Sequence, residues 1–234
     1  MTENLAERLA EHLNKSRIDL RQDWLKLLAS HPAIAIVRAA DVEIGLSMAK
    51  AAAAGGFKLI EVAWNNNASP PQMIEVIRRS LPDCCVGAGT ILDKSDLANA
   101  IGSGAQFCFT PHTDRQLIEM AIAQNIPIVA GAMTPTEILA AWRAGATSVK
   151  VFPISVLGNE AYIRSLKGPL NDIPLVPTGG VTSESAPALL AAGAVAVGLS
   201  TALFPAKEVA IANWAAIEAR SRYLLTLLSN PSQS

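Results

Sequence analysis

Eight short apolar runs, each followed by a helical pattern, predict an α/β fold: a (β/α)8 TIM barrel behind an N-terminal helical extension. Three observations carry this prediction. After Pro32, β-branched runs alternate with amphipathic stretches, the mark of consecutive βα units around a parallel sheet. Eight such units fill about 200 residues, the size of a compact barrel. Small-residue glycine turns recur at intervals of roughly 40 to 50 residues, about two βα units each, which argues for one closed repeating architecture. Residues 1–30 are then the extension and residues 31–234 the barrel domain. A doubly wound open sheet is the alternative. It would hold a ligand at a topological switch point, whereas a barrel gathers one from the C-terminal ends of many strands.

Taken in order, Leu5, Leu9 and Leu13, then Leu20, Trp24, Leu27 and Leu28, recur at helical spacing on either side of a break at Ser16-Arg17-Ile18-Asp19. Nothing in this extension suggests chemistry. Strands are expected at 33–37, 58–62, 84–87, 106–109, 126–130, 148–152, 175–177 and 194–199. Helices are expected at 41–54, 70–80, 93–102, 113–123, 134–144, 158–167 and 182–192, with a last one at 207–228. Four helices end in Ala54-Gly55-Gly56, Gly102-Ser103-Gly104-Ala105, Ala144-Gly145-Ala146 and Ala192-Gly193-Ala194, where glycine supplies a left-handed cap that turns the chain into the next strand. Thr134-Pro135-Thr136-Glu137 reads as a helix start, with an N-cap, an N1 proline and an N3 glutamate.

With 234 residues, 50% of them apolar, the chain can bury a full core. A net charge of -1 provides no basic field, which argues against a dedicated nucleic-acid binder but leaves room for a small anion site. The acidic start Met-Thr-Glu-Asn-Leu-Ala-Glu has no signal-peptide core, and the apolar stretches are broken by charge or glycine before a membrane-spanning length. A cytoplasmic protein without a membrane partner is expected. Three cysteines, Cys84, Cys85 and Cys108, form neither a disulfide framework nor a metal pattern, and the Asn67-Ala68-Ser69 sequon means nothing without secretion.

The chemistry centres on Ser148-Val149-Lys150-Val151-Phe152-Pro153. A lysine inside such a strand loses hydration, which disfavours the ammonium and favours the free amine needed to attack a carbonyl. An ion-paired or snorkelling core lysine is the ordinary alternative. Glu61 sits in the apolar run Leu59-Ile60-Glu61-Val62-Ala63-Trp64, either as partner to a buried base or as the carboxylate that moves protons for a nucleophilic lysine. Polar residues mark nearly every strand end: Arg38, Thr90, Thr110-Pro111, Thr178-Gly179-Gly180 and Ser200-Thr201. Stability alone would not ask for this, but a catalytic face would.

Gly179 and Gly180, between a strand and a helix, can turn N–H groups toward an anion such as phosphate at the helix N-terminus, helped by Ser200 and Thr201. In Gly87-Ala88-Gly89-Thr90 the glycines allow close approach to the backbone, and the Thr90 hydroxyl can hold a carboxylate; a plain βα turn is the alternative. Arg38 is a candidate partner for the same carboxylate or a rim charge. His112 reads as a turn or rim residue, since nothing is spaced to orient it, and neither His31 nor His12 attracts a role. Trp64 is placed at the mouth of the pocket, while Trp24, Trp142 and Trp214 are read as helix packing. Asn65-Asn66-Asn67 is a polar loop that either presents amides to substrate or caps the helix beginning near Pro70.

From about residue 33 to 204 the chain resembles the class I aldolases that cleave 2-keto-3-deoxy-6-phosphogluconate, a family that includes 4-hydroxy-2-oxoglutarate and 6-phosphogalactonate relatives. The resemblance rests on Glu61-Val62, Gly87-Ala88-Gly89-Thr90, Thr110-Pro111-His112, Met133-Thr134-Pro135-Thr136-Glu137, Val149-Lys150-Val151-Phe152-Pro153, Lys167-Gly168-Pro169 and Pro177-Thr178-Gly179-Gly180-Val181 together. It implies Lys150 as the Schiff-base lysine, Glu61 as the acid/base and Thr90 near the keto-acid carboxylate. It also assigns phosphate to Gly179, Gly180 and the loop holding Thr201. The full expected binding set is Arg38, Thr90, Pro111, Phe152, Thr178, Gly179, Gly180, Ser200 and Thr201. The substrate would be a 2-keto acid joined to an aldehyde phosphate, and the resemblance further implies a homotrimer needing no metal or cofactor.

Three departures stand out. Asn65 occupies a position where many relatives carry an arginine, Ser200-Thr201 replaces the usual Gly-Ser, and Ile154 follows Phe152-Pro153 in place of alanine, enlarging a side chain near the mouth. A phosphate-binding isomerase or epimerase using Glu61 and a non-catalytic sugar-phosphate binder are the rival readings.

Overall fold

The computed structural model describes residues 5–66 and 69–229, with side chains from Ile18 onward except that of Asn66. Asn67 and Ala68 of the sequon, and the side chains of Leu5, Leu9, His12 and Leu13, lie outside the described residues. The element order is α1 Leu5–Ser30, β1 Ala33–Val37, α2 Val42–Ala54, β2 Leu59–Ala63, α3 Pro70–Ser80, β3 Cys85–Gly89, α4 Lys94–Gly102 and β4 Cys108–Phe109. It continues with α5 Arg115–Ala123, β5 Ile128–Ala132, α6 Pro135–Ala144, β6 Ser148–Val151, α7 Glu160–Lys167, β7 Leu175–Pro177, α8 Ser185–Ala191, β8 Val197–Leu199, α9 Ala206–Ala210 and α10 Trp214–Ser229. The strands pair in parallel in the order β7-β6-β5-β4-β3-β2-β1-β8. The ring closes between β7 and β8 through a single bridge, Thr178 to Gly198, and a hydrogen bond from the Val195 N–H to the Leu175 carbonyl at 2.9 Å. This is the predicted (β/α)8 barrel, and the open-sheet alternative falls away.

Alternation along each strand sorts the core into two. Outward residues such as Ile60, Val62, Val149 and Val151 pack under the helices, while Ile34, Leu59, Phe107, Phe109, Val129, Val176 and Ala196 fill the lumen. The same parity turns Glu61 inward two residues above Leu59, and Lys150 inward two residues above Ser148.

The predicted glycine caps are in place: Gly56, Gly104, Gly145 and Gly193 all have positive φ, and a capping box joins Thr134 and Glu137. Several boundaries differ from expectation. β2, β3 and β5 sit one to two residues later, and β4 and β8 are shorter. The extension is one continuous helix with no break at residues 16–19, because no glycine or proline interrupts it. The last helix is instead two, divided at Ala212, whose φ of 52° leaves the helical region. Among the described residues no helix is long and apolar enough to cross a membrane.

Candidate active site

The inward column of β6 ends in Lys150, which is 2% exposed, and that of β2 carries Glu61, which is 0% exposed. Among the described residues Lys150 Nζ makes no hydrogen bond or ion pair. It lies 4.7 Å from the centre of the Phe152 ring and 5.8 Å from that of Phe109. Neither Glu61 oxygen has a hydrogen-bond partner among them. The direct Glu61–Lys150 ion pair that the sequence leaves open is not made; the two groups feel each other through space.

Their charges are tuned by that setting. Burial pushes the Lys150 ammonium below the ordinary lysine range; the Glu61 carboxylate opposes the shift and the Arg38 guanidinium reinforces it. Burial raises Glu61 above the ordinary carboxylate range, against the pull of Lys150 and Arg38. A base that gives up its proton readily thus faces an acid that keeps one, the pairing required for addition to a carbonyl followed by proton transfer. The thiols do not compete as nucleophiles, since burial pushes Cys108 up to about 12 and Cys85 up to about 11.

Glycines hold this chamber open. A Cβ on Gly89 would fall on the Glu61 carboxylate, one on Gly131 would fall on the Pro111-His112 backbone, and one on Gly198 would stand 2.7 Å from Thr178 Oγ1. Gly131 is also the register neighbour of Lys150, so Pro111 crosses beside the lysine, while His112 is occupied in the turn, its carbonyl accepting from Thr110 Oγ1 at 2.6 Å. A cavity of about 200 Å³ opens above the lysine, lined by Ile36, Arg38, Lys150, Phe152, Thr178, Gly179, Gly180, Val181, Gly198, Ser200 and Thr201. Eight of the residues expected at the site therefore meet on one cavity. Thr90 joins through Arg38, whose guanidinium donates to Thr90 Oγ1 at 3.4 Å and to Asn65 Oδ1 at 3.2 Å.

Ile36, Val181 and Gly198 line the cavity without having been expected there. The period-two inward face of β1 and β8 was the signal that could have found Ile36 and Gly198. Two placements are corrected. Trp64 is not a cavity wall; its indole donates to Asp96 at 2.8 Å and packs against the outer core. Ile154 is fully buried in that outer core and leaves the mouth unchanged. Helix α8 runs from Ser185, and Thr182 caps its entry as expected: the Thr182 carbonyl accepts from the Ala186 N–H at 3.0 Å, and its hydroxyl and N–H pair with the N–H and hydroxyl of Ser185.

The glycine pair offers an anion backbone N–H groups. Gly179 and Gly180 have φ of 87° and 79°, and among the described residues the N–H groups of Gly179, Gly180 and Val181 donate to no protein acceptor. No cluster of three or more His, Cys, Asp or Glu among the described residues is arranged for a metal.

A family model described as KDPG and KHG aldolase matches residues 25–220. A 2-dehydro-3-deoxy-phosphogluconate aldolase of Pseudomonas aeruginosa is 34% identical over 194 residues, spanning 83% of this chain and 86% of its own. A KHG/KDPG aldolase of Escherichia coli is 30% identical over 156 residues, 67% of this chain and 73% of its own. Among solved structures, one described as native KDPGal is similar with a TM-score of 0.79 and 28% identity, over 87% of this chain and 97% of that one. The 2-keto-3-deoxy-6-phosphogluconate aldolase of Zymomonas mobilis, solved with 3-phosphoglycerate, gives 0.77 and 25%, over 86% and 94%.

Proposed function

The chain belongs to the KDPG and KHG aldolase family, class I aldolases of 2-keto-3-deoxy sugar phosphates, and from that premise we propose that Lys150 forms the imine and Glu61 moves the protons. The substrate is 2-keto-3-deoxy-6-phosphogluconate, cleaved to pyruvate and glyceraldehyde 3-phosphate, with 4-hydroxy-2-oxoglutarate, cleaved to pyruvate and glyoxylate, as a further substrate. The observation that carries the reading is the pair itself: a buried amine at the base of a cavity of about 200 Å³, across the lumen from a buried carboxyl group, neither with a hydrogen-bond partner among the described residues.

Lys150 Nζ attacks C2 of the keto acid, and the carbinolamine loses water to give a protonated imine. Removal of the C4 hydroxyl proton then breaks C3–C4. The bonding electrons move into the C2–C3 enamine, the aldehyde leaves, and protonation at C3 followed by hydrolysis releases pyruvate and the free lysine. Glu61, relayed by water, takes and returns these protons. Phe152 walls the imine, Pro111 shapes the floor beside it, and Thr178 closes the side. Arg38, braced by Thr90 and Asn65, receives the substrate carboxylate in the role that an arginine at position 65 would otherwise fill. The 6-phosphogalactonate epimer is the second reading, supported by that Asn65–Arg38 pairing. The phosphate lies across Gly179 and Gly180 on one side and Ser200 and Thr201 on the other.

The test has two parts. Pyruvate with a hydride donor should add a reduced pyruvyl mass to the Lys150 peptide, and pyruvate release from the gluconate- and galactonate-derived substrates should rank the epimers. An unmodified Lys150 in folded protein overturns the imine and moves the weight to proton abstraction by Glu61. A second expectation follows from the glycine beneath Glu61. Gly89→Ala adds one methyl where the carboxylate rests, so the acid must swing aside. Turnover should fall on the order of 10²-fold and Tm should drop by a few degrees, since overpacking a buried site costs about 1 to 3 kcal/mol, read as kcat beside Tm. Full activity in that folded variant would mean that Glu61 is not needed where it stands.

A further inference from the structure

The second half of α1 reaches the lysine from below. Trp24, 2% exposed, enters the N-terminal end of the lumen and stacks on Phe107 with centroids 5.3 Å apart; Phe107 meets Phe109 edge-on at 5.7 Å, and Lys150 Nζ rests 5.8 Å from Phe109. A column of three rings therefore runs from α1 to the reactive amine. Trp24 makes a second link, as its indole N–H donates to Ser148 Oγ at 2.9 Å, and Ser148 is the fully buried residue directly beneath Lys150 on the inward face of β6. The helix is fastened at this point. Arg21 donates to the carbonyls of Ala146 at 3.0 Å and Trp142 at 2.8 Å and stacks on the Trp142 ring at 3.8 Å, all just before β6 begins.

We propose that Trp24 is a positioning residue for catalysis: it seats the aromatic column on which Lys150 stands and seals the lumen beneath it, so that α1 is the floor of the reaction chamber. This rests on Lys150 being the imine-forming amine. The charged groups that face the lysine are Glu61 from β2 and Arg38 from β1. β3, β5 and β8 turn glycines toward it, Phe107 just before β4 and Phe109 within it turn their rings, and Val176 of β7 and Thr178 just after it complete the circle. Holding water away from below therefore adds to the burial that lowers the amine's pKa, the leading influence on it.

Trp24→Ala removes the base of the column and leaves Ser148 Oγ without its donor, a polar atom that can seat entering water. Hydration would favour the ammonium, raise the pH at which the free amine forms and slow imine formation near neutrality. Above both midpoints the rate should recover, which a merely loosened fold would not do.

The experiment is the rate of pyruvate trapping on Lys150 by cyanoborohydride as a function of pH, in the wild type, Trp24→Ala and Trp24→Phe. The midpoint should move up by roughly 1 unit in Trp24→Ala, a tenfold loss of free amine at lower pH, and should return close to wild type in Trp24→Phe, which restores a ring over Phe107. An unshifted midpoint in Trp24→Ala, with only Tm lowered, would overturn the proposal. If Trp24→Ala does not fold, Trp24→Leu, with a smaller void, should move the midpoint the same way, and no shift there is equally fatal. A wild type that traps no pyruvate fails at the earlier step, in the reading of Lys150 itself, and takes this inference with it.

Discussion

Lys150→Ala should lose turnover by at least roughly 10⁴-fold, the scale on which removal of a covalent nucleophile falls, with no pyruvyl adduct by mass. The more revealing variant is Lys150→Met, which keeps the stem and its packing on Phe109 and Phe152 while removing the amine. It should be equally inactive yet more stable. The amine is buried without a hydrogen-bond or ion-pair partner among the described residues, and its folded pKa lies below the unfolded value. The unfolded chain therefore binds a proton that the folded chain gives up or holds at a cost, and wild-type stability suffers below the folded pKa and recovers as pH rises toward about 10.4. Removing that cost is worth on the order of 1 kcal/mol or more, and at roughly 2 to 4 °C per kcal/mol for a chain of this size Tm should rise by a few degrees. The gain should be full below the folded pKa and shrink as pH rises toward about 10. A Met variant that melts below wild type at neutral pH would show that the lysine is structural.

Glu61→Gln should slow turnover by roughly 10²-fold to 10⁴-fold while Lys150 still takes up pyruvate, more slowly. Glutamine fits the space over Gly89 but cannot pass a proton, so the variant separates the acid/base step from the amine's own reactivity. The sign of the stability effect is again fixed. Glu61 has a raised folded pKa, so its contribution is fully present below the unfolded carboxylate value and is lost as pH rises through the folded one. A neutral amide escapes that loss, and Tm should exceed wild type at pH 7. Wild-type kcat in Glu61→Gln would end the acid/base assignment. Higher stability with lower activity at both positions is what a site built from unpaired buried charge predicts.

The barrel and its reactive pair were legible in the chain because both depend on local signals. A charged residue in a run such as Leu59-Ile60-Glu61-Val62-Ala63 stands out against period-two burial, and left-handed glycines announce helix ends. What was not legible depends on contacts between distant segments. Helical spacing shows that Trp24 faces inward with Leu20 and Leu28, but a helix period cannot say that the surface it meets is the barrel lumen or that its indole reaches Ser148. Trp64 and Ile154 sit one and three residues past the ends of β2 and β6, where the chain turns and parity stops predicting direction. The entry to α8 was legible because Thr182 has the composition of an N-cap, and its side chain and N–H do pair with Ser185 at the first turn.

The join between β7 and β8 carries a consequence for how ligand and scaffold depend on each other. Here one bridge, from Thr178 to Gly198, and the bond from the Val195 N–H to the Leu175 carbonyl do the fastening, and both bridged residues also face the cavity. An anion resting on Gly179 and Gly180 from one side and Ser200 and Thr201 from the other would span that gap like a clasp. Substrate would then complete the hoop of the barrel as well as fill its mouth, so that what the site binds and what closes the scaffold would be the same contact.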